Sequence, residues 1–108
     1  MFQRLTKQQY EEQLDTVFTV VWDSVEPMEL RLVNVRGVIS TPRNEQFAIE
    51  FKSEDKRFLN QGIQLMKHPV FGELELFITP IGSEADGVVY EAAFNYLHKA
   101  ADSEVATK

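Results

Sequence analysis

His68 and Glu73 come nearest to a chemical site in this chain, by residue type and by spacing. They flank the segment from Pro69 to Gly72, in which proline can open a tight turn and glycine can close it at positive φ. A four-residue hairpin loop would place the imidazole opposite the carboxylate, and a carboxylate neighbour favours the charged imidazole. The pair could form an acid-base or pH-responsive couple, but most cross-strand pairs only help to fix a turn.

Other combinations of reactive side chains give weaker signals. Glu73 and Glu75 share a strand face, a spacing that any solvated strand shows. The segment 82–87 carries two carboxylates but lacks the alternating oxygen ligands of a calcium loop, so we interpret it as a turn. No serine lies in a nucleophile-elbow motif, and the two histidines stand far apart, at positions 68 and 98. We therefore expect no catalytic residue, no metal site and no cofactor.

Composition excludes further classes of protein. The 108 residues include 17 acidic and 11 basic side chains, giving a net charge of −6, and no cysteine. Nucleic acids and anionic membranes recruit proteins mainly through Lys and Arg, so neither is an expected partner. Without cysteine there is no disulfide, no thiolate metal site and no cysteine nucleophile. The N-terminus lacks an apolar leader and no stretch approaches a membrane span, which predicts a cytoplasmic protein that could join a larger assembly.

The chain opens with a helix signal. Thr6 followed by Gln9 matches a capping box, and Leu5 with Tyr10 matches a hydrophobic staple. These residues predict a helix at about residues 7–14. A helix this short must be held by packing of its apolar side chains against the rest of the chain.

Short strands separated by turns are predicted for most of the remaining sequence. Residues 16–22 are β-branched and aromatic on both faces, which is typical of a strand covered on both sides. In the next strand the apolar parity changes between Leu32 and Asn34, which predicts a bulge, and Gly37 favours sharp curvature. Further strands are predicted at residues 45–52, 63–68, 73–80 and 88–96.

The predicted four-residue loop also assigns the faces of the hairpin at residues 63–80. One face collects Ile63, Leu65, Leu74, Leu76 and Ile78. The other face collects Gln64, Met66, His68, Glu73, Glu75 and Phe77. Alternation in both arms agrees with this register.

Six such strands, one N-terminal helix and no alternation of strands with helices predict a mainly β, antiparallel fold. We favour a small, six-stranded, partly closed barrel with the helix over one end, because closure hides strand edges. A compact sandwich is the alternative. The single domain is predicted to span residues 1–97, and residues 98–108 are expected to form a disordered tail.

Residues 61–95 resemble a small bacterial family that is a domain of unknown function. The signature runs from Gln-Gly through His-Pro, Gly-Glu-Leu, Leu-Phe, Pro-Ile-Gly and an acidic Asp-Gly turn to Tyr-Glu-Ala and Phe-Asn. The matching residues are Gln61, Gly62, His68, Pro69, Gly72, Glu73, Leu74, Leu76, Phe77, Pro80, Ile81, Gly82, Asp86, Gly87, Tyr90, Glu91, Ala92, Phe94 and Asn95. The resemblance implies no activity, cofactor or catalytic residue. It implies a short stand-alone protein, some relatives of which lie beside phage-tail-like or fibre proteins in bacterial genomes.

Several predicted strands are apolar on both faces, whereas one barrel has only one inside. The surplus side chains must meet the helix, a loop or another chain, and exposed apolar patches of more than a few hundred Å² usually mark interaction sites. The candidate surface consists of Val17, Val21, Val33, Val35, Met66 and Phe77. We therefore expect a non-enzymatic interaction or assembly protein, such as a phage-tail-like or fibre-like component, with a protein partner or a homo-oligomer.

Two other functions stay open at this point. A small barrel that binds an apolar ligand would place Trp22, Phe47, Tyr90 and Phe94 around a pocket, although six strands leave little lumen. An enzyme would depend on the His68–Glu73 pair.

Overall fold

The computed structural model describes residues 5–41 and 44–97, and this part of the chain is mainly β, as the sequence predicts. It forms one short helix and six strands. The elements are α1 (Lys7–Glu11), β1 (Val17–Trp22), β2 (Val25–Ser40), β3 (Asn44–Ser53), β4 (Gly62–His68), β5 (Gly72–Glu84) and β6 (Gly87–Leu97). The tail predicted at 98–108 lies outside the described residues.

The six strands pair antiparallel in the order β1-β2-β3-β6-β5-β4, and the ring closes to form a barrel. Closure depends on a short seam between β1 and β4, where Thr19 lies opposite Lys67 and Val20 lies opposite Met66. The sheet therefore adopts the predicted barrel, closed all the way round, rather than the alternative sandwich. Closure leaves each strand a neighbour on both sides, which protects the edges of a small apolar sheet.

Helix α1 begins where the capping box predicts and ends earlier than residue 14. Thr6 Oγ1 accepts a hydrogen bond from the Gln9 N–H at 3.1 Å, and Gln9 Oε1 accepts one from the Thr6 N–H at 2.8 Å. The helix stops at Glu11. Asp15 then adopts a φ of 68° and donates its N–H to the Leu32 carbonyl at 2.7 Å, which directs the chain into β1.

Tyr10 supplies the packing that holds the short helix in place. Its side chain is buried, and its ring centroid lies 6.0 Å from that of Phe47, 5.6 Å from Phe71 and 5.4 Å from Phe94. Burial raises the pKa of its hydroxyl. The other large, fully buried side chains of the core are Leu5, Phe18, Met28, Leu30, Leu32, Phe47, Ile49, Phe51, Met66, Leu74 and Tyr90.

Two irregularities bend β2, and both lie where the sequence predicts them. The register of β2 against β3 shifts between Leu32 and Asn34 and again between Gly37 and Ile39. Leu32 is buried and Val35 packs against the same core, although the two are three positions apart and would face opposite sides of a regular strand. An inserted residue explains this, since it returns the strand's apolar side chains to the inner face after the parity change.

The hairpin between β4 and β5 has a loop one residue shorter than the sequence predicts. Gly72 does close the turn at positive φ, at 78°. However, it already lies opposite His68 in the register, so the loop contains only residues 69–71. Glu73 consequently lies opposite Lys67, and the predicted pairing of His68 with Glu73 is wrong.

This slip of one residue inverts the predicted faces of β4. Met66 and His68 are buried, whereas Ile63 is exposed and Leu65 is half-buried. The faces of β5 follow the prediction, with three side chains inside: Leu74, Leu76 and Ile78. Side chains alternate along a strand, so moving one arm by one residue exchanges its inner and outer sets and leaves the other arm unchanged.

Candidate interaction surface

Two groups of ion pairs lie on the outer face of β2, β3 and β6. The Arg36 guanidinium reaches two neighbouring strands, with Nε 3.1 Å from Glu50 Oε2 and Nη2 hydrogen-bonded to Glu91. Lys52 Nζ lies 3.1 Å from Glu84 Oε1 and 2.9 Å from Asp86 Oδ1. These contacts lower the pKa of Asp86 and raise that of Lys52. This half of the barrel wall is charged and internally paired.

Apolar side chains occupy part of the outer face of β4 and β5, which also carries Lys67, Glu73 and Glu75. Ile63 and Phe77 lie directly opposite each other, and 65% and 52% of their respective surfaces are exposed. Leu65 follows on the same face of β4, and Val21 is the residue of β1 that follows Val20, which lies opposite Met66. These four residues form what we call the outer apolar patch: Val21, Ile63, Leu65 and Phe77.

The six surface residues predicted from the sequence fall into three places. Val21 and Phe77 belong to the outer apolar patch. Val17 and Val33 line a neighbouring groove described below. The other two were wrongly placed: Met66 is fully buried and Val35 packs against the core. Met66 moved inside with the β4 register, and Val35 did so because the bulge after Leu32 restores the inward parity.

A groove of about 820 Å³ crosses the outer face of β1 and β2, and we call it the outer groove. Val17, Thr19 and Val33 contribute to its floor. Its walls carry five carboxylates against two cations: Asp15, Glu26, Glu29, Glu54 and Asp55 against Arg31 and Lys52. The groove is therefore a negatively charged surface beside an apolar one.

Arg57 holds the segment between β3 and β4 against the start of β2, and it does so through three residues that line this groove: Glu26, Pro27 and Asp55. Its guanidinium donates to the carbonyls of Glu26 at 2.7 Å and Pro27 at 2.9 Å. It also pairs with Asp55 at 2.7 Å and lies 5.6 Å from the Trp22 ring centroid. The hydrogen bonds from Arg57 hold the pKa of the Asp55 carboxyl at about 2, well below its usual range.

An Arg57→Ala substitution is expected to loosen this segment without unfolding the barrel. Amide hydrogens of residues 54–61 should exchange several-fold faster, because the clamp to the Glu26 and Pro27 carbonyls is lost. The Asp55–Arg57 contribution is complete above the ordinary carboxyl pKa of 3.8 and disappears as the pH falls towards about 2. Hydrogen exchange with mass spectrometry measures the exchange rates of residues 54–61, and substitution of the exposed Lys56 by alanine is the matched control. Equal exchange in the two variants would contradict the clamp.

His68 lies inside the wall of the barrel and uses both of its ring nitrogens. Nδ1 accepts hydrogen bonds from the backbone N–H groups of Val70 at 3.1 Å and Phe71 at 3.3 Å. The ring proton is therefore assigned to Nε2, which donates to Thr16 Oγ1 at 2.8 Å. Thr16 in turn donates to the Gln13 carbonyl at 2.7 Å.

The structure thus does not assemble the predicted imidazole–carboxylate couple. His68 is buried, whereas Glu73 is exposed on the outer face. Burial lowers the pKa of the His68 imidazole, the opposite of what a carboxylate partner would do. The true partner, Thr16, stands 52 residues away in the chain. No local pattern could have indicated it.

The aromatic residues of the ligand-binding hypothesis are distributed over different parts of the molecule. Phe47 and Phe94 stack with their centroids 4.8 Å apart, beside Tyr10. The buried Tyr90 hydroxyl accepts a hydrogen bond from the Leu59 N–H at 3.0 Å, and Trp22 lies under Arg57. None of the four lines the outer groove. Within residues 5–41 and 44–97, no cluster of His, Asp and Glu is suited to hold a metal ion.

The fold and the surface define a class: a small antiparallel β-barrel with an N-terminal helix packed on it, an exposed apolar pair on one part of its wall and ion pairs on another. Residues 5–94 match the family model "Domain of unknown function (DUF6916)", and the chain belongs to this family. That result confirms the predicted membership of a domain-of-unknown-function family. No curated protein and no solved structure matches the chain. In the described part, no helix has the length and apolarity to cross a membrane.

Proposed function

We propose that this protein is a non-enzymatic binding module that docks on another protein through the outer apolar patch. The observation that carries the proposal is the exposure of Ile63 and Phe77, a cross-strand pair on the outside of a closed barrel. The neighbouring outer face of β2, β3 and β6 carries paired charges. Val33 and Ile81 are also exposed, but Ile63 and Phe77 are the exposed large apolar residues of the described chain that lie directly opposite each other in the register.

Folding alone does not account for two large apolar side chains at these positions. An exposed cross-strand pair contributes only about 0.2–1 kcal/mol to stability. Burial by a partner of the portions that are still exposed would contribute about 1.5–3 kcal/mol for the two side chains together. The larger gain is therefore available in a complex, and the patch has the character of a binding surface.

The partner in this proposal is a second copy of the chain or a subunit of a larger bacterial assembly, of which a phage-tail-like or fibre-like structure is one form. The support for the assembly is the genomic context that the resemblance implies. The support for a protein partner is the apolar chemistry of the patch.

A double substitution, Ile63→Thr with Phe77→Thr, tests the proposal. Threonine keeps the strand propensity of both positions while removing most of their apolar surface. We expect the wild-type chain to form a homo-oligomer by size-exclusion chromatography with light scattering, or to capture a specific protein by cross-linking in native lysate. The double variant should lose that association.

The matched control removes equally exposed apolar side chains away from the patch. Ile81, beside Glu50 and Lys52, and Val70 are 48% and 64% exposed, and the double variant Ile81→Thr with Val70→Thr should associate like the wild type. A wild-type chain that is monomeric and captures nothing would reject the proposed function. So would a patch variant that retains the association.

A further inference from the structure

We propose that His68 is an acid-sensitive latch: protonation of its imidazole releases the β4–β5 turn, together with helix α1, from the end of the barrel. This inference concerns the interior of the barrel and does not depend on the binding function proposed above. It rests on the direction of the hydrogen bonds around the ring and on the residues that these bonds connect.

The hydrogen bonds around His68 can be made only by the neutral ring with its proton on Nε2. Nδ1 faces two backbone N–H donors, those of Val70 and Phe71. A proton added to Nδ1 would point at these donors and remove the acceptor that they share. The turn would then lose both of its hydrogen bonds to the ring. On the other side, Nε2 is already committed to Thr16.

Two mechanical connections join this ring to helix α1. The first runs through Phe71, whose ring centroid lies 4.8 Å from that of His68 and 5.6 Å from that of Tyr10. The second runs through Thr16, which bonds both the His68 ring and the Gln13 carbonyl just after the helix. Displacing the imidazole therefore disturbs the β4–β5 turn, the packing of Phe71 against Tyr10 and the hydrogen bond from Thr16 to the Gln13 carbonyl.

The position of His68 at the barrel seam adds to this sensitivity. Only two register pairs join β1 to β4, and the His68–Thr16 hydrogen bond extends this short seam. Phe18 of β1 packs on the imidazole, with the centroids 4.2 Å apart. A charged ring placed between Phe18 and Phe71 would be poorly hydrated, and its new Nδ1 proton would face two N–H donors and no acceptor.

None of the titratable groups around His68 offers it a counter-ion within the described residues. Those on its own strand and on the elements packed against it are Lys7, Tyr10, Glu11, Glu12, Asp15, Lys67, Glu73, Glu75 and Glu84. Lys7 pairs with Glu11 at 2.6 Å, and Lys67 and Glu73 lie opposite each other on the outer face. Burial is the cause that lowers the pKa of His68, and no charged neighbour opposes it.

The pH dependence of the latch follows from the lowered pKa of His68. The unfolded chain takes up a proton at the ordinary imidazole pKa of 6.5, whereas the folded chain resists until a lower pH. The latch is therefore complete above pH 6.5 and weakens progressively as the pH falls towards the lower folded value.

Hydrogen exchange with mass spectrometry, at about pH 7.5 and about pH 5 and corrected for intrinsic exchange rates, tests the latch. In the wild-type chain we expect several-fold faster exchange at the lower pH in residues 5–16 and 66–73. Residues 44–53 of β3 should not respond. The proposal is overturned if exchange in residues 5–16 and 66–73 does not increase at the lower pH. It is also overturned if exchange in β3 increases equally, since equal increases indicate global unfolding.

Substitution of each histidine in turn supplies the matched comparison. His68→Asn retains an acceptor near the position of Nδ1 but does not titrate, so the acid response should disappear. His98→Asn removes the other histidine of the chain and should leave the response intact. An acid response that persists in His68→Asn would overturn the proposal.

A second variant keeps the latch testable if His68→Asn fails to fold. Thr16→Val retains the titrating ring and removes the hydroxyl that accepts the hydrogen bond from its Nε2–H. Exchange in residues 5–16 and 66–73 should then already be several-fold faster at neutral pH, with a smaller further increase in acid. Unchanged exchange at neutral pH would contradict the role of the His68–Thr16 bond.

Discussion

Phe18→Ala is expected to lower the free energy of unfolding by about 3–5 kcal/mol, the range for removing a large aromatic side chain from a core. Phe18 has no exposed surface. Its ring lies with its centroid 5.1 Å from Phe51 in an edge-to-face arrangement and 4.2 Å from His68. The substitution removes these contacts and leaves a cavity that the closed sheet cannot collapse to fill.

Phe77→Ala is the matched control, because it deletes the same side chain from the outer face of the same barrel. Phe77 is half exposed and contributes through its cross-strand contact with Ile63. Its loss should cost less than about 1 kcal/mol. Urea unfolding monitored by circular dichroism measures both variants. Similar losses would mean that the assigned inner and outer faces are wrong.

Gly87→Ala is expected to lower the free energy of unfolding by about 1–3 kcal/mol, the range for overpacking. A Cβ built on Gly87 would lie 2.2 Å from the carbonyl oxygen of Ser53 and 3.1 Å from its carbonyl carbon. Both are backbone atoms at the end of β3, so no side-chain rotation can relieve the contact. Either β6 or β3 must shift where the two strands pair.

Gly82→Ala separates this steric effect from the general loss of a glycine. No atom lies within 4 Å of a Cβ built on Gly82, so the change in stability should stay within about 0.5 kcal/mol. Thermal unfolding of the two variants checks the difference. If both substitutions were equally tolerated, the close approach of β6 to Ser53 would not exist in solution.

At Gly87 the sequence indicates a turn nearby but does not show why the position requires glycine. The segment 82–87 is rich in turn-forming residues, which correctly predicts a connection between two strands. The turn itself consists of residues 85 and 86, and Gly87 is already the first residue of β6. Its glycine is required by the nearby Ser53 carbonyl and not by a positive φ. That neighbour belongs to a distant strand and has no local signature.

The β4–β5 hairpin shows the same limit for the candidate site. Gly72 was correctly predicted to close the turn at positive φ, and the faces of β5 were correctly predicted from alternation. The predicted inner and outer faces of β4, the arm containing His68, were exchanged, because loops of three and four residues are both compatible with these turn residues. Each parity of β4 also offers apolar side chains, so alternation within that strand could not choose between them.

The amino-acid sequence determined what depends on neighbouring residues: the capped helix, the strands, the bulge after Leu32 and an excess of apolar side chains for one barrel. Tertiary structure alone decided which of those side chains face outwards, and that His68 is buried against Thr16. The physical reason is that strand parity has a period of two. A single residue in a loop, or one hydrogen bond between distant strands, selects one of two faces that the local sequence supports almost equally.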